Sequence, residues 1–590
     1  MRWSGRRRAT ESLWACPPEL LLSRSRRSSS ATSVRATTST PVIDPESIAD
    51  RTTVGVLFRQ IARYADRPLV HHRDGDGAWQ IETWSDMQRD ILAVAAGLLD
   101  AGVRHGESVI LMSENRLEWL YCDFAIQSIG AVTVPVYPNV SAEAVQVIAR
   151  DSAATFAIAS DGELAAKLDV GGTLRKVALM DREVAQWVKQ GPRSLSEIAS
   201  RLSKVSADDL CTIVYTSGTT GTPKGVELAH RCLVDLSREA VKAHPLTEQD
   251  VSISWLPYAH VFGRFNDIFD GILYGGQTWI SRGPDHLAQE IREIRPTVMC
   301  SVPRVYEKMY AAVTARVRKS SSQAQRGLAD RLVLSNVRTL LTGGRLRFFV
   351  SGGAALSREV EEFFWALGVP VLNGWGLTET SSGVCSNTLY AHKFLTVGKP
   401  FEGVQLKIAD DGEILVKGPG NMLAYHNQPE ATAEVLKDGW FYTGDIGEID
   451  SDGFLKITDR KKSLFKTAGG KYIAPVQLEH DLLSDPLISR AVVLGESRPY
   501  VTALIVPDSD AAKGQGLDET ALRTQIQRTV DRVNAKLGHW ETIKYFTLLP
   551  HDFTEQSGEL SLKLDVKRKV VADHYRDEIE AMYTGKKKDS

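Results

Sequence analysis

Cysteine is scarce in this 590-residue chain: there are six, at Cys16, Cys122, Cys211, Cys232, Cys300 and Cys385, with no CxxC pair. That usage fits a reducing compartment and argues against a disulfide framework and a structural zinc site. Long apolar runs are missing too. None approaches the roughly 18 residues that a membrane-spanning helix needs, and the longest, Ile91 to Leu99, reads as the buried face of a core helix. Net charge is nearly absent, at a formal -2, so bulk charge draws the chain neither to nucleic acid nor strongly to a membrane. No GxxxxGK run followed by Ser or Thr occurs, which disfavours an ordinary P-loop NTPase. There is no internal repeat.

What the chain does have is the 43% hydrophobic and 24% charged content of a globular protein, spread over too many residues for one core. The first 43 residues stand apart, with eight arginines against Glu11 and Glu19 and a Ser/Thr-rich run from Ser23 to Thr40. Three readings stay open there: an organelle-targeting presequence, a disordered tail, or a translation start placed too far upstream. Residues 1–45 are therefore set aside as an extension. The Lys586-Lys587-Lys588 tail reads as a solvated end with at most a weak contact to anionic lipid.

From Ile48 the pattern becomes globular. Ser85 is expected to cap a helix through Ile91, Leu92, Ala95, Leu98 and Leu99, ending at Gly102. Val109 to Leu111, Ala131 to Val136 and Ala154 to Ile158 read as short strands. Helix and strand patterns alternate through about residue 440, which predicts α/β architecture. Glycine-rich loops are expected after Val214-Tyr215, after Phe348 to Val350 and after Val369 to Leu372, where α/β sheets gather their ligands. Ser301 would cap a helix beginning in Val302-Pro303-Arg304, and Ala311 to Gln325 reads as a polar surface excursion. After Thr458 the character changes: Ala491 to Leu494, Val501 to Val506 and a helix over Glu519 to Leu537 predict a small α+β domain. The expected division is 1–45, 46–459 and 460–590.

The chemistry concentrates in a few motifs. Tyr215-Thr216-Ser217-Gly218-Thr219-Thr220-Gly221-Thr222-Pro223-Lys224-Gly225 alternates glycine and hydroxyl residues after a strand and then supplies one lysine. Glycines let backbone N–H groups approach an oxyanion, the hydroxyls add donors, and Lys224 brings charge suited to a polyphosphate. Ser351-Gly352-Gly353-Ala354, Asn373-Gly374-Trp375-Gly376-Leu377-Thr378-Glu379-Thr380, Tyr442-Thr443-Gly444-Asp445 and Asp459-Arg460-Lys461-Lys462 follow in order.

Together these motifs resemble those of the adenylate-forming superfamily, which includes acyl-CoA synthetases, luciferases and peptide-synthetase adenylation domains. The likeness covers roughly residues 48–575. It implies a large N-terminal domain of α/β subdomains, with mixed sheets and a small barrel, and a small mobile α+β C-terminal domain. It also implies ATP, Mg2+ and CoA as cofactors. In that resemblance Trp375 offers adenine a flat face, Asp445 has two acceptor oxygens for the ribose hydroxyls, and Arg460 meets the same ribose. Gly352, Gly353 and Ala354 line the nucleotide and the acyl entrance. Glu379 and Thr216 supply oxygens to Mg2+. His260, in Leu256 to Phe262, lies beside the carboxylate. Lys462 resembles the hinge between domains. Lys466, Gly469 and Gly470 resemble the face used in thioester formation. Lys563 matches the lysine that touches acid and α-phosphate, although an alignment that follows many long-chain ligases makes Lys567 that residue instead.

The resemblance is closest to long-chain fatty acid–CoA ligases, through Ser301 to Lys308 and Val134 to Pro138. The shortness of the stretch from Lys319 to Leu346 leaves medium-chain or aryl acids open. An acyl-AMP ligase that loads a carrier protein, a luciferase-like oxygenase and a non-catalytic nucleotide-binding module are the alternatives. The last is disfavoured by the presence of Lys224, Glu379 and Asp445 together. Expected partners are a small carboxylic acid, ATP and CoA, with no nucleic acid and at most peripheral membrane contact; a homodimer stays open. The expected location is cytoplasmic, with organelle targeting by residues 1–43 left open.

Overall fold

The computed structural model describes residues 43–168, 173–216, 223–320, 337–461, 463–554, 557–560 and 566–584. Two large sheets form the body. In the first, of seven strands, Leu210–Thr216, Val132–Val136, Ser108–Met112, Phe156–Ala159 and Lys176–Leu179 run parallel, while Lys224–Ala229 and Ala424–Tyr425 close one edge antiparallel. Ser108–Met112 and Val132–Val136 are buried at every position. That explains their continuous apolar runs, since a parallel strand covered on both faces needs no alternation.

The second sheet has nine strands. Its parallel centre includes Val251–Ser254, Val298–Ser301, Phe348–Ser351 and Val371–Leu377. A third sheet of five antiparallel strands, built around Trp440–Ile449, is the expected barrel in the form of an open half-barrel. Beyond it, Ile488–Leu494, Val501–Pro507 and Ile543–Leu548 form a small sheet, packed with the helices Pro475–Leu483 and Glu519–Asn534. The hydrophobic interiors divide in the same way. Two clusters draw only on residues from Phe465 to Tyr583, and the others only on residues from Ile43 to Ile457. Among the described residues, one ion pair, Arg304 Nη2 to Asp508 Oδ2 at 3.9 Å, crosses between the two groups.

Four local expectations are corrected. The helix Trp84–Asp100 is capped by Thr83, not Ser85: Thr83 accepts from the Asp86 amide, and the Asp86 side chain accepts from the Thr83 amide. The third glycine-rich loop is a strand. Val371–Leu377 continues through Gly374 and Gly376 and pairs antiparallel with Ser382–Ser386. The approach is so close that a Cβ on Gly376 would lie 1.8 Å from the Ser382 carbonyl oxygen, so glycine here serves a strand and not a turn. Ser301 ends a strand, and the next helix begins at Pro303, whose missing N–H costs nothing at a first helical position. That helix runs to Ser320, through most of the expected excursion; the remainder of the excursion, from residue 321, lies outside the described residues.

Candidate active site

Strands Leu210–Thr216 and Lys224–Ala229 are the two arms of a hairpin, with Thr216 opposite Lys224. The loop residues Ser217, Gly218, Thr219, Thr220 and Gly221 lie outside the described residues; both flanks are defined. The Lys224 Nζ stands 4.7 Å from the centre of the Tyr425 ring. The Tyr425 hydroxyl donates to Glu379 Oε1 at 2.9 Å. Burial, reinforced by the Glu379 charge, pushes the Tyr425 phenol far up, so it stays a donor. The hairpin lysine and the carboxylate of the Thr378–Thr380 turn thus meet on one tyrosine, 46 residues from Glu379 in sequence.

A second cluster forms where the second sheet meets the half-barrel. The Trp375 indole Nε1 donates to Asp445 Oδ2 at 2.8 Å, and Arg460 Nε lies 3.1 Å from Asp445 Oδ1. Asp445 and Arg460 face each other across neighbouring strands. Burial raises the Asp445 carboxyl above its ordinary value, while Arg460 and the Trp375 N–H oppose the rise. Asn373 and Thr378 are buried. The Asn373 amide donates to Glu361, whose other oxygen accepts from the Leu395 amide at 2.9 Å, while Asn373 Oδ1 has no hydrogen-bond partner among the described residues.

A cavity of about 980 Å3, its open mouth included, adjoins this cluster. His260, Gly352, Gly353, Gly374, Trp375 and Gly376 are among its lining residues. Gly353 holds a φ of +89°, a conformation that glycine tolerates and a side chain resists. Ala354 is exposed and is not among the lining residues. The His260 ring accepts from the Phe262 amide at its Nδ1, at 3.1 Å. The wide π-type turns Phe262–Phe269 that follow are anchored by Arg264. Its Nε donates to Asp123 at 2.8 Å and its Nη1 to Thr212 Oγ1 at 2.8 Å. Both charges are buried and multiply hydrogen-bonded, the condition under which such a pair is tolerated. The pair ties the His260 segment to the strand that carries Thr216.

In the small sheet region, Lys466 and Tyr472 sit opposite each other in a two-strand hairpin, with the Lys466 Nζ 5.3 Å from the Tyr472 ring centre. Gly469 and Gly470 form its exposed turn. Lys462 and Lys563 lie outside the described residues. Lys567 is described: it is exposed at the start of the helix Arg568–His574. Arg568 beside it is fixed by Glu479, Nη2 to Oε2 at 2.9 Å.

Comparison with known proteins identifies this arrangement. Residues 57–426 match the family model of the AMP-binding enzymes, and residues 463–587 match that of the AMP-binding enzyme C-terminal domain. The chain is an AMP-binding enzyme. It is 36% identical to the long-chain-fatty-acid–CoA ligase FadD15 of Mycobacterium tuberculosis, over 91% of this chain and 98% of that protein. It is 30% identical to the peroxisomal long chain acyl-CoA synthetase 7 of Arabidopsis thaliana, over 86% of this chain and 82% of that one. Among solved structures it resembles the adenylation domain of a carboxylate reductase from Mycobacterium chelonae, at a TM-score of 0.76 and 25% identity, covering 90% of this chain and 91% of that one.

Two residues of this AMP-binding enzyme's site were not legible as motifs. Tyr425 reaches it on a two-residue strand paired to the far edge of the first sheet, and Glu361 from the helix Arg358–Ala366. Neither sits beside a glycine run. Only a carboxylate on the buried side of an amphipathic helix gave a signal for Glu361.

Proposed function

We propose that this chain is an ATP-dependent acid:CoA ligase that converts a long-chain fatty acid to its acyl-AMP and then passes the acyl group to CoA, releasing AMP and pyrophosphate. One observation carries the reading: the Trp375–Asp445–Arg460 cluster adjoins, across Gly374 and Gly376, a cavity walled by side chains such as Val298, Met299, Phe348, Val350 and Phe401. A polar corner and a largely apolar chamber share one seam, as a reaction between a nucleotide and a lipid acid requires. The long-chain acids named for the 36% identical relatives support the acid class.

In this reading Trp375 stacks on adenine while its N–H keeps Asp445 oriented, and Asp445 takes the ribose hydroxyls with Arg460 alongside. Lys224 and the loop from Ser217 to Gly221 hold the phosphates. His260, in the cavity lining, sits beside the acid's carboxylate. The carboxylate oxygen attacks the α-phosphorus, and the bond to pyrophosphate breaks. Two anions must meet, so the residues contribute fixed positive charge and position, each worth on the order of 10²–10³ in rate. The donor set of Glu379 and Thr216, one carboxylate and one hydroxyl, fits Mg2+, which when bound would add Lewis-acid charge on the phosphates. The domain from residue 460 then turns about Lys462. It withdraws Lys563, or Lys567, and presents Lys466, Gly469 and Gly470 for attack of the CoA thiol on the acyl carbonyl.

The test is acid-dependent AMP release from MgATP, with and without CoA, across acids of two to twenty carbons and a few aryl acids. Each buried CH2 is worth about 0.8 kcal/mol, so rates are expected to climb steeply to an optimum among long chains and to need CoA. Acyl-AMP formation indifferent to CoA would replace this reading with carrier-protein loading. No turnover with any acid would end it.

A further inference from the structure

The cavity is not uniformly apolar. Along one side, the π-type turns Phe262–Phe269 and the helix Asp270–Tyr274 place Asn266, Asp267, Asp270 and Tyr274 on its wall. Asp270 is the telling residue. It is only 6% exposed. Its Oδ2 accepts from Asn266 Nδ2 at 3.0 Å and the Ser237 hydroxyl lies beside the carboxyl, while its Oδ1 makes no hydrogen bond of normal geometry among the described residues. Asp267, 2% exposed, is better served, since its Oδ2 accepts from the Ser254 hydroxyl at 3.2 Å.

A chamber meant only for a hydrocarbon would gain nothing from such a group. An unpaired buried carboxyl oxygen is costly, and a methylene chain laid against it would strip its remaining water without replacing a single hydrogen bond. Burial, opposed by Ser237 and Asn266, pushes the Asp270 carboxyl up to about 7. At neutral pH it is therefore available both as acceptor and as donor, and a hydroxyl is the partner that can use either state.

Its place along the wall sets where that hydroxyl belongs. Asp270 follows His260 by ten residues of mostly helical chain, so the two are separated by at most roughly 15 Å at 1.5 Å per residue. An extended acyl chain advances roughly 1.25 Å per carbon, from C–C bonds of about 1.5 Å. With the carboxylate at His260, Asp270 then stands beside a carbon at or before roughly the twelfth position, within the body of a long chain and not at its far end.

We propose that the acyl cavity recognises a long-chain fatty acid bearing a mid-chain hydroxyl, which hydrogen-bonds the free oxygen of Asp270. This rests on the ligase reading above and names its substrate class. A site built to pair a hydroxyl discriminates against the analogue that lacks it, by far more than an apolar pocket can discriminate against the analogue that has it.

The experiment uses the full-length enzyme with MgATP and CoA. It compares kcat/KM for octadecanoic acid with its 2-, 10-, 12- and 18-hydroxy derivatives, in the wild type and in Asp270→Asn and Asp270→Leu. The wild type is expected to favour the 10- or 12-hydroxy acid over octadecanoic acid by at least about tenfold, with the 2- and 18-hydroxy acids gaining nothing. Asp270→Leu should abolish that preference while raising turnover of octadecanoic acid, and Asp270→Asn, which keeps an acceptor, should retain part of it. If the wild type uses octadecanoic acid as well as every hydroxy isomer, a trapped water satisfies Asp270 and the proposal is overturned. An unchanged ratio in Asp270→Leu overturns it equally. Should that variant not fold, the peak along the series of isomers in the wild type decides alone. In all these outcomes octadecanoic acid is still turned over; its failure with every other acid would instead remove the ligase reading.

Discussion

Asp445 gathers its site by accepting from Trp375 and pairing with Arg460 while buried to 3% exposure. Its two oxygens are therefore held in place by the indole N–H on one side and the guanidinium on the other. Trp375→Phe keeps a ring for stacking and removes only that donor. It is expected to raise the KM for ATP about tenfold, the worth of one hydrogen bond to a charged group, with a smaller change in kcat; steady-state kinetics at saturating acid and CoA would check it. An unchanged KM would reduce the N–H to a packing detail. These residues were legible because each stands in a short glycine- or charge-marked motif. Tyr425, which joins Lys224 to Glu379, was not. Its position depends on pairing with Val226, about two hundred residues earlier, and no local pattern encodes such a partner.

Among the elements, strands with continuous apolar runs are legible in the sequence, because complete burial leaves a run that needs no periodicity to be seen. The helix Glu519–Asn534 and the paired strands Ile488–Leu494 and Val501–Pro507 were likewise close to expectation. The misses have a common origin. Gly374 and Gly376 look like punctuation, yet they continue a strand that presses on the Ser382 carbonyl. Where that strand enters the site, Asn373 rests on Glu361, and burial pushes the Glu361 carboxyl from an ordinary 4.5 up to about 8. The folded protein thus holds a proton there that the unfolded chain releases, so stability from this group is present below pH 4.5 and drains away as pH rises towards about 8. Glu361→Gln cannot ionise. Its urea midpoint should fall less than that of the wild type between pH 5 and pH 8, and parallel curves would show that the carboxyl is charged throughout.

Across the whole molecule, the fold class and the family were both legible because five motifs kept their order over nearly the full length. In the proposed mechanism Lys563 and Lys567 are the two candidates for the adenylation lysine. Lys563→Ala should lower acyl-AMP formation about 10²–10³-fold while sparing transfer from supplied acyl-AMP to CoA. Lys567→Ala, at the exposed start of its helix, should leave both steps nearly intact. Single-turnover assays of the two half-reactions separate these outcomes, and a reversed pattern would move the role to Lys567.

The division of the hydrophobic interior has a further consequence. Among the described residues the hydrophobic clusters on either side of residue 460 have no member in common, and the 3.9 Å ion pair between Arg304 and Asp508 is a weak tie between them. Two such interiors need not melt together. A calorimeter should record two endotherms, and in the interval between them the larger body would still load nucleotide while no longer completing a turnover; heat would uncouple the enzyme before it destroyed it.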